Sequence, residues 1–330
     1  MPKLASQTDG IVMPEHKRIA LTESIAFKAA RQQKNWFEFI RRLHQTSTIY
    51  QLLFSTILVG LYAWFFVYFH LEILRKDEKI STTTHQVLGL TLGFLLAMRS
   101  NSAYDRWWEG RKIVGGLVNT SRNLAICLSQ ILPYHDMELR RRFAGLLSSY
   151  CFAFKEHLRK GVDFSEMKDL SPELIAQARR REHVPNFLMA TLYARLMAFL
   201  DSHPAKAHHT LVFSNLLVEF TNYIGGCERI KKTPLPGSYT LHLKFFILIY
   251  ILTLPFGIYH ELHYWTVPAV MLIFYAMAGL EIIGEEIEDP FGTDLNDIPM
   301  DAIVNTIHRN VYEILLNPAQ AAWETTNTDN

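Results

Sequence analysis

The chain has 330 residues, 49% of them hydrophobic and 12% aromatic, with a formal net charge of +1 at pH 7. That balance leaves no global field to hold nucleic acid. The three cysteines, Cys127, Cys151 and Cys227, form no Cys-x-x-Cys pair, so neither a zinc ribbon nor a disulfide framework is indicated.

Residues 1–46 are polar and carry eight Lys and Arg, a composition not expected of a secretory signal peptide. From Ile49 to Phe69 follow twenty-one residues without a charge, long enough to span a bilayer. The polar link "HLEILRKDEKISTTTH" leads into a second apolar run, Val87 to Met98, of only twelve residues. A lipid-facing span needs about 20, so this helix is expected to face something besides lipid. Residues four apart stack along one helix face. Leu90, Phe94 and Met98 make a bulky apolar row, and beside it Gly89, Gly93 and Ala97 make a small one. Small rows let membrane helices approach closely. The bulky row then points at a common axis if several copies assemble symmetrically, forming a constriction that can gate by dewetting. Periodicity alone fits ordinary packing as well.

"MRSNSAYDRWWEGRK" continues that helix without a breaker, and its Arg99, Asp105, Arg106, Glu109, Arg111 and Lys112 are placed to pair along helix faces. The middle segment to Thr240 holds twenty of the 33 Lys and Arg and repeats apolar residues at helical spacing. Ser171-Pro172-Glu173 reads as a capped helix start. Two further apolar blocks, Leu243 to Tyr259 and Trp265 to Gly284, are joined by "HELH" and form a tight hairpin. Pro255 and Pro268 are expected to kink them, and Tyr50, Trp64, Tyr250, Tyr259 and Trp265 to form an aromatic belt. Only Arg309 follows Lys244 among the basic residues. The positive-inside rule therefore places both termini and the middle segment in the cytoplasm. The expected architecture is all-α with four transmembrane helices: an N-terminal cytosolic segment (1–46), a first hairpin (47–100), a helical cytosolic domain (101–240), a second hairpin (241–284) and a C-terminal cytosolic segment (285–330).

Other chemistry is thin. His260 with His263, and His208 with His209, lack the i, i+4 pair and intervening glutamate of a zinc-protease helix. Glu281, Glu285, Glu286 and Glu288 are expected to pair with arginines of the middle segment. No phosphate loop, nucleophile elbow or triad signature points to an enzyme.

Together, "LGF", "NSAYDRWWEGRK" and "EEIEDPFGTDLNDIP" resemble the bestrophin family in its bacterial branch, in order, from about Ile49 to Asp301. The resemblance implies a homopentameric channel of the bacterial inner membrane, surrounded by membrane lipids and passing small ions passively along a five-fold axis. Aligned on Arg106-Trp107-Trp108, the family's hydrophobic neck falls on Leu90, Phe94 and Met98, the row that spacing had singled out. The family usually carries isoleucine or phenylalanine there, and Met98 is more flexible. A second, cytosolic aperture maps to Leu211, with Val212 or Phe213 as alternatives. The calcium (Ca2+) clasp of animal members maps its two carboxylates to Asp294 and Asp297. This chain has "TDLND" in place of the animal acidic run, and its N-terminus does not resemble theirs, which favours helix capping and loop structure instead. An apolar neck carries no sign of its own. The basic middle segment tilts the expectation towards chloride, with a Na+/K+ channel of the same architecture or a non-conducting scaffold as alternatives.

Overall fold

The computed structural model describes residues 47–74, 82–159, 161–167, 169–294 and 296–316. Among them are nine α-helices and no strand. The basic link residues Arg75, Lys76 and Lys79, and the segments 1–46 and 317–330, lie outside the described residues.

α1 (Ser47–Tyr68) runs on as a π-helical turn, Phe69–Leu74. α2 (Thr83–Ile131) is one unbroken helix of 49 residues, roughly 73 Å long at about 1.5 Å per residue. It contains no proline and stops at Leu132, whose extended backbone suits the residue before Pro133. α3 (Met137–His157) starts where the Asp136 carboxylate accepts the Leu139 N–H at 2.9 Å, with Glu138 in its first turn and Lys155 and His157 in its last, charges that complement the helix dipole. α4 (Pro172–Ala178) begins as expected, with Ser171 capping and Pro172 in its first turn. α5 (Val184–Asp201) is capped by the His183 ring. α6 (Thr210–Lys232), α7 (Gly237–Leu262), α8 (Thr266–Glu288) and α9 (Met300–Leu316) complete the order.

The helices share two main cores, and α2 runs through both. Its distal part (Val114, Leu117, Leu124, Leu128) packs with α3, α5, α6 and α9 around Phe154, Phe213, Phe220 and Val304. Lys155 is buried there, its ammonium 2.8 Å from both Glu166 and Asp301. Burial alone lowers such an amine, but the carboxylates outweigh it and raise Lys155 above its ordinary value. The proximal part of α2 gives Leu92 and Leu96 to a second core with Ala63 of α1, Leu243, Ile247 and Leu254 of α7, and Val270 of α8.

Around this second core the outward faces are apolar. Phe54, Leu61 and Phe65 of α1, Leu241, Phe245 and Leu248 of α7, and Leu272 of α8 are exposed, a surface much larger than a soluble monomer carries. Tyr50–Leu74 and Gly237–Glu288 are long and apolar enough to cross a membrane, and the second holds both α7 and α8. The twelve-residue run is not such a span by itself. It forms the opening turns of α2.

Three expectations change. Tyr250 and Tyr259 are buried, with Tyr250 in the helix core and Tyr259 stacked edge-on to Phe66, so neither belongs to an aromatic belt. Pro268 lies in the first turn of α8, where no helical bond is lost, while Pro255 is internal to α7. The hairpin tip turns through a 3-10 turn, His263–Trp265, entered by His263 at φ 50. A non-glycine residue there is uncommon, and the short link forces it.

Candidate pore face and acidic loop

The proximal part of α2 is two-faced. Leu92, Leu96, Arg99 and Ala103 are buried, while Leu90, Phe94 and Met98 on the opposite side are 79%, 65% and 49% exposed. No described residue covers that row, so packing among the described residues does not account for it. The row spans roughly 12 Å of helix. In the small row, Gly89 seats the Tyr250 ring, since a Cβ there would lie 2.7 Å from the phenolic oxygen. Gly93 has nothing within 4 Å of such a Cβ, and Ala97 is exposed. The small row is therefore half used inside the chain and half open. Beyond Met98, the exposed face continues through Asn101, Asp105, Trp108, Lys112 and Asn119, changing from apolar to polar and charged.

Arg99, directly after this row, is 1% exposed and ion-pairs with Glu288 at 2.5 Å. The other Glu288 oxygen accepts the Leu235 N–H at 2.6 Å. Arg106 donates to the carbonyls of Ile230, Thr233 and Glu288 at 2.6, 2.5 and 3.4 Å, and Arg229 pairs with Glu109. Arg99, Arg106 and Glu109 thus bond to other parts of the chain, not along α2. Glu288 meets the expected arginine. Glu281 and Glu285 instead pair with Lys244 of α7, and Glu286 accepts from Asn296.

At the far end, the Lys206 ammonium donates to the carbonyl of Ile131, which places the start of α6 beside the end of α2. Leu211, in the first turn of α6, is 72% exposed and Val212 is half exposed, whereas Phe213 is buried in the distal core. Phe213 is thereby removed from the three candidates for a second aperture.

After α8 the chain turns through Asp289-Pro290-Phe291-Gly292. Phe291 plugs into the distal core, and the Asp297 carboxylate accepts the Asp294 N–H at 2.6 Å. Its other oxygen is buried without a hydrogen-bond partner. Burial, helped by the charges of Asp294, Asp289 and Glu286, pushes Asp297 up to about 6 against the opposing Asp294 N–H. A buried, unpaired carboxylate oxygen amid like charges fits the oxygen-donor chemistry of a hard cation, which takes six to eight such ligands. The Asp294 side chain, by contrast, is exposed. The capping reading of the loop is also met, by the bond from the Asp294 N–H.

A different cluster was not legible in the sequence. His157 and His183 both present Nε2 to one oxygen of Glu228, at 2.6 and 3.0 Å. Burial pushes Glu228 up, but these contacts and Lys232 outweigh it and hold the carboxylate below its usual range. The two histidines are 71 and 45 positions from Glu228, so no spacing signal joins them.

Comparison with known proteins agrees with this arrangement. Residues 28–313 match the family model described as "Bacterial/Fungal Bestrophin protein". A voltage-dependent anion channel-forming protein of Nostoc sp. is 33% identical, covering 86% of this chain and 92% of the relative. One of Synechocystis sp. is 34% identical over 70% of this chain and 77% of the relative. The crystal structure of a bacterial bestrophin homolog from Klebsiella pneumoniae superposes with a TM-score of 0.74 at 26% identity, covering 80% of this chain and 98% of that one. The apolar outer faces and the match to solved membrane proteins give the chain a membrane location. With the family model spanning most of its length, the chain belongs to the bestrophins, in the bacterial and fungal branch.

Proposed function

We propose that this chain forms a passive anion channel of the bacterial inner membrane, with both termini in the cytoplasm. Five copies surround one pore, and α1, the proximal part of α2, α7 and α8 cross the membrane. Leu90, Phe94 and Met98 line a hydrophobic neck, and Leu211 lines a second narrowing at the distal end of α2, roughly 60 Å away along the helix. The observation that carries the reading is the uncovered Leu90, Phe94 and Met98 row opposite a fully packed face. An apolar row of three residues left bare by the described residues, beside an open small-residue row, suits a symmetric ring of helices. The similar proteins of Nostoc and Synechocystis are named as anion channel-forming, which supports chloride-like ions as the cargo. If calcium binds, Asp297 and Asp294 would hold it.

The test is single-channel recording in planar bilayers. Replacing Leu90, Phe94 and Met98 together by alanine widens the neck and is expected to raise conductance several-fold. Unchanged currents from the purified triple variant would sink the assignment of this face to the pore. Absence of ion flux from native protein in liposomes would favour the scaffold reading. A cation channel of the same architecture is the second reading, and Asp105 favours it, being exposed on the same helix face just beyond the neck.

A further inference from the structure

We propose that His157, His183 and Glu228 form a binding site for a borderline transition-metal ion such as Zn2+, distinct from the acidic loop after α8. The three donor atoms come from the last residue of α3, the cap of α5 and the last two turns of α6. They lie within 4.8 Å of one another. Both imidazoles turn Nε2 towards the same carboxylate oxygen, and their ring centroids are 4.4 Å apart. The side chains are 20% to 27% exposed, enough burial to fix the rotamers without closing the site. Tetrahedral zinc at about 2.0–2.2 Å from two imidazoles and a carboxylate sets its donors roughly 3.4 Å apart, so the N···O contacts of 2.6 and 3.0 Å lengthen on binding. Two nitrogens with one carboxylate oxygen select zinc and its neighbours over calcium or magnesium.

Access and a fourth ligand are also provided. His183 and Glu228 line one end of a cavity of about 490 Å³ between α5 and α6, walled by Met189, Leu217 and Ile224 with Tyr193 and Thr221. A water in that cavity completes a tetrahedral set, as in open three-ligand sites.

One contact opposes binding and sharpens the test. The Asn186 N–H donates to His183 Nδ1 at 3.2 Å, so the neutral, metal-free ring carries its proton on Nε2. A neutral ring ligating through Nε2 carries that proton on Nδ1, so this cap contact must open. Metal entry displaces the Nε2 proton from each imidazole that has one. One capping bond is exchanged for a metal–nitrogen bond. The ion would then tie the end of α3 and the start of α5 to α6, the helix that carries Leu211 in its first turn.

The experiment uses the full-length protein in detergent, stripped with EDTA and titrated with Zn2+ against a chromophoric chelator at pH 7.5. The native chain is expected to bind one tight equivalent per subunit that is absent, or at least tenfold weaker, in His157→Ala, Glu228→Gln and His183→Asn. Asparagine is a good capping residue, so His183→Asn removes the ligand while keeping the cap. The metal-free variant is expected to melt within a few degrees of native protein. Co2+ substitution should give the strong visible bands of a four-coordinate site in native protein alone. Native protein with no tight equivalent, or the same stoichiometry in all three variants, overturns the proposal and leaves a hydrogen-bonded trio only.

Discussion

Two single residues carry tests that differ in sign. Asp297 is raised to about 6 by burial and by its acidic neighbours. A carboxylate raised in the folded state binds its proton more readily folded than unfolded. Stability therefore increases as pH falls from above 6 towards the unfolded value of about 3.9, and the penalty is fully present above 6. Asp297→Asn removes the charge and keeps an oxygen for the Asp294 N–H. Discounted for solvent screening, the variant is expected to gain about 1–2 kcal/mol at pH 7.5. Thermal melting checks this: native protein should melt higher at pH 5.5 than at 7.5, and the variant should lose most of that difference. If the loop holds calcium, adding Ca2+ at pH 7.5 raises the native Tm and leaves the variant unmoved. Arg99 runs the other way. Its guanidinium is buried against Glu288, and Arg99→Met leaves that carboxylate mostly desolvated with only the Leu235 N–H. Removing one partner of a buried pair costs about 3–5 kcal/mol. Adding Glu288→Gln should restore part of that loss, and a double-mutant cycle on Tm measures the coupling.

At the scale of the element, the two glycines of α2 separate packing within the chain from the proposed packing between copies. Gly89→Ala drives a methyl group against the buried Tyr250 ring, and overpacking of this kind costs about 1–3 kcal/mol. Gly93→Ala meets nothing in its own subunit. The isolated fold is expected to be indifferent to it, so a change in the oligomer seen by light scattering would report a neighbouring copy. Gly93→Leu should make that change large, and an assembly unaffected by leucine would mean that this row is not an interface. Much of α2 was legible beforehand, because the four-residue spacing of Leu90, Phe94 and Met98 and the lack of any breaker are local properties of the sequence. Ser171 was legible for the same reason, since a cap depends on its immediate neighbours. The burial of Arg99 was not, because it depends on Glu288 at a separation of 189 positions. The inward turn of Tyr250 and Tyr259 was hidden likewise: a tyrosine in an apolar helix reads alike whether it meets lipid or Phe66. The burial of Phe213 beside the exposed Leu211 and Val212 needed the register of α6 against the distal core, which no local pattern fixes.

Across the whole molecule, the proposed pore face of α2 locates the groups that would set the sign of the permeant ion. The proximal face offers Leu90, Phe94 and Met98 and no charge, so selectivity must come from flanking groups. Asp105 is the first charge on the exposed face beyond the row, with Lys112 two turns further. Seven residues of helix put Asp105 roughly 10 Å from Met98, about one Debye length at 0.1 M salt. In the proposed ring of five copies each substitution would change five charges at one depth, which makes a single replacement readable. Asp105→Asn removes a cation-favouring ring and is expected to move the reversal potential under asymmetric KCl towards the chloride equilibrium value. Lys112→Gln, more distant and opposite in sign, should shift it less and in the other direction. Both shifts should shrink at 1 M salt, where screening falls to about 3 Å. A reversal potential that ignores both substitutions at 0.1 M would take this face of α2 out of the conduction path, whichever ion the channel carries.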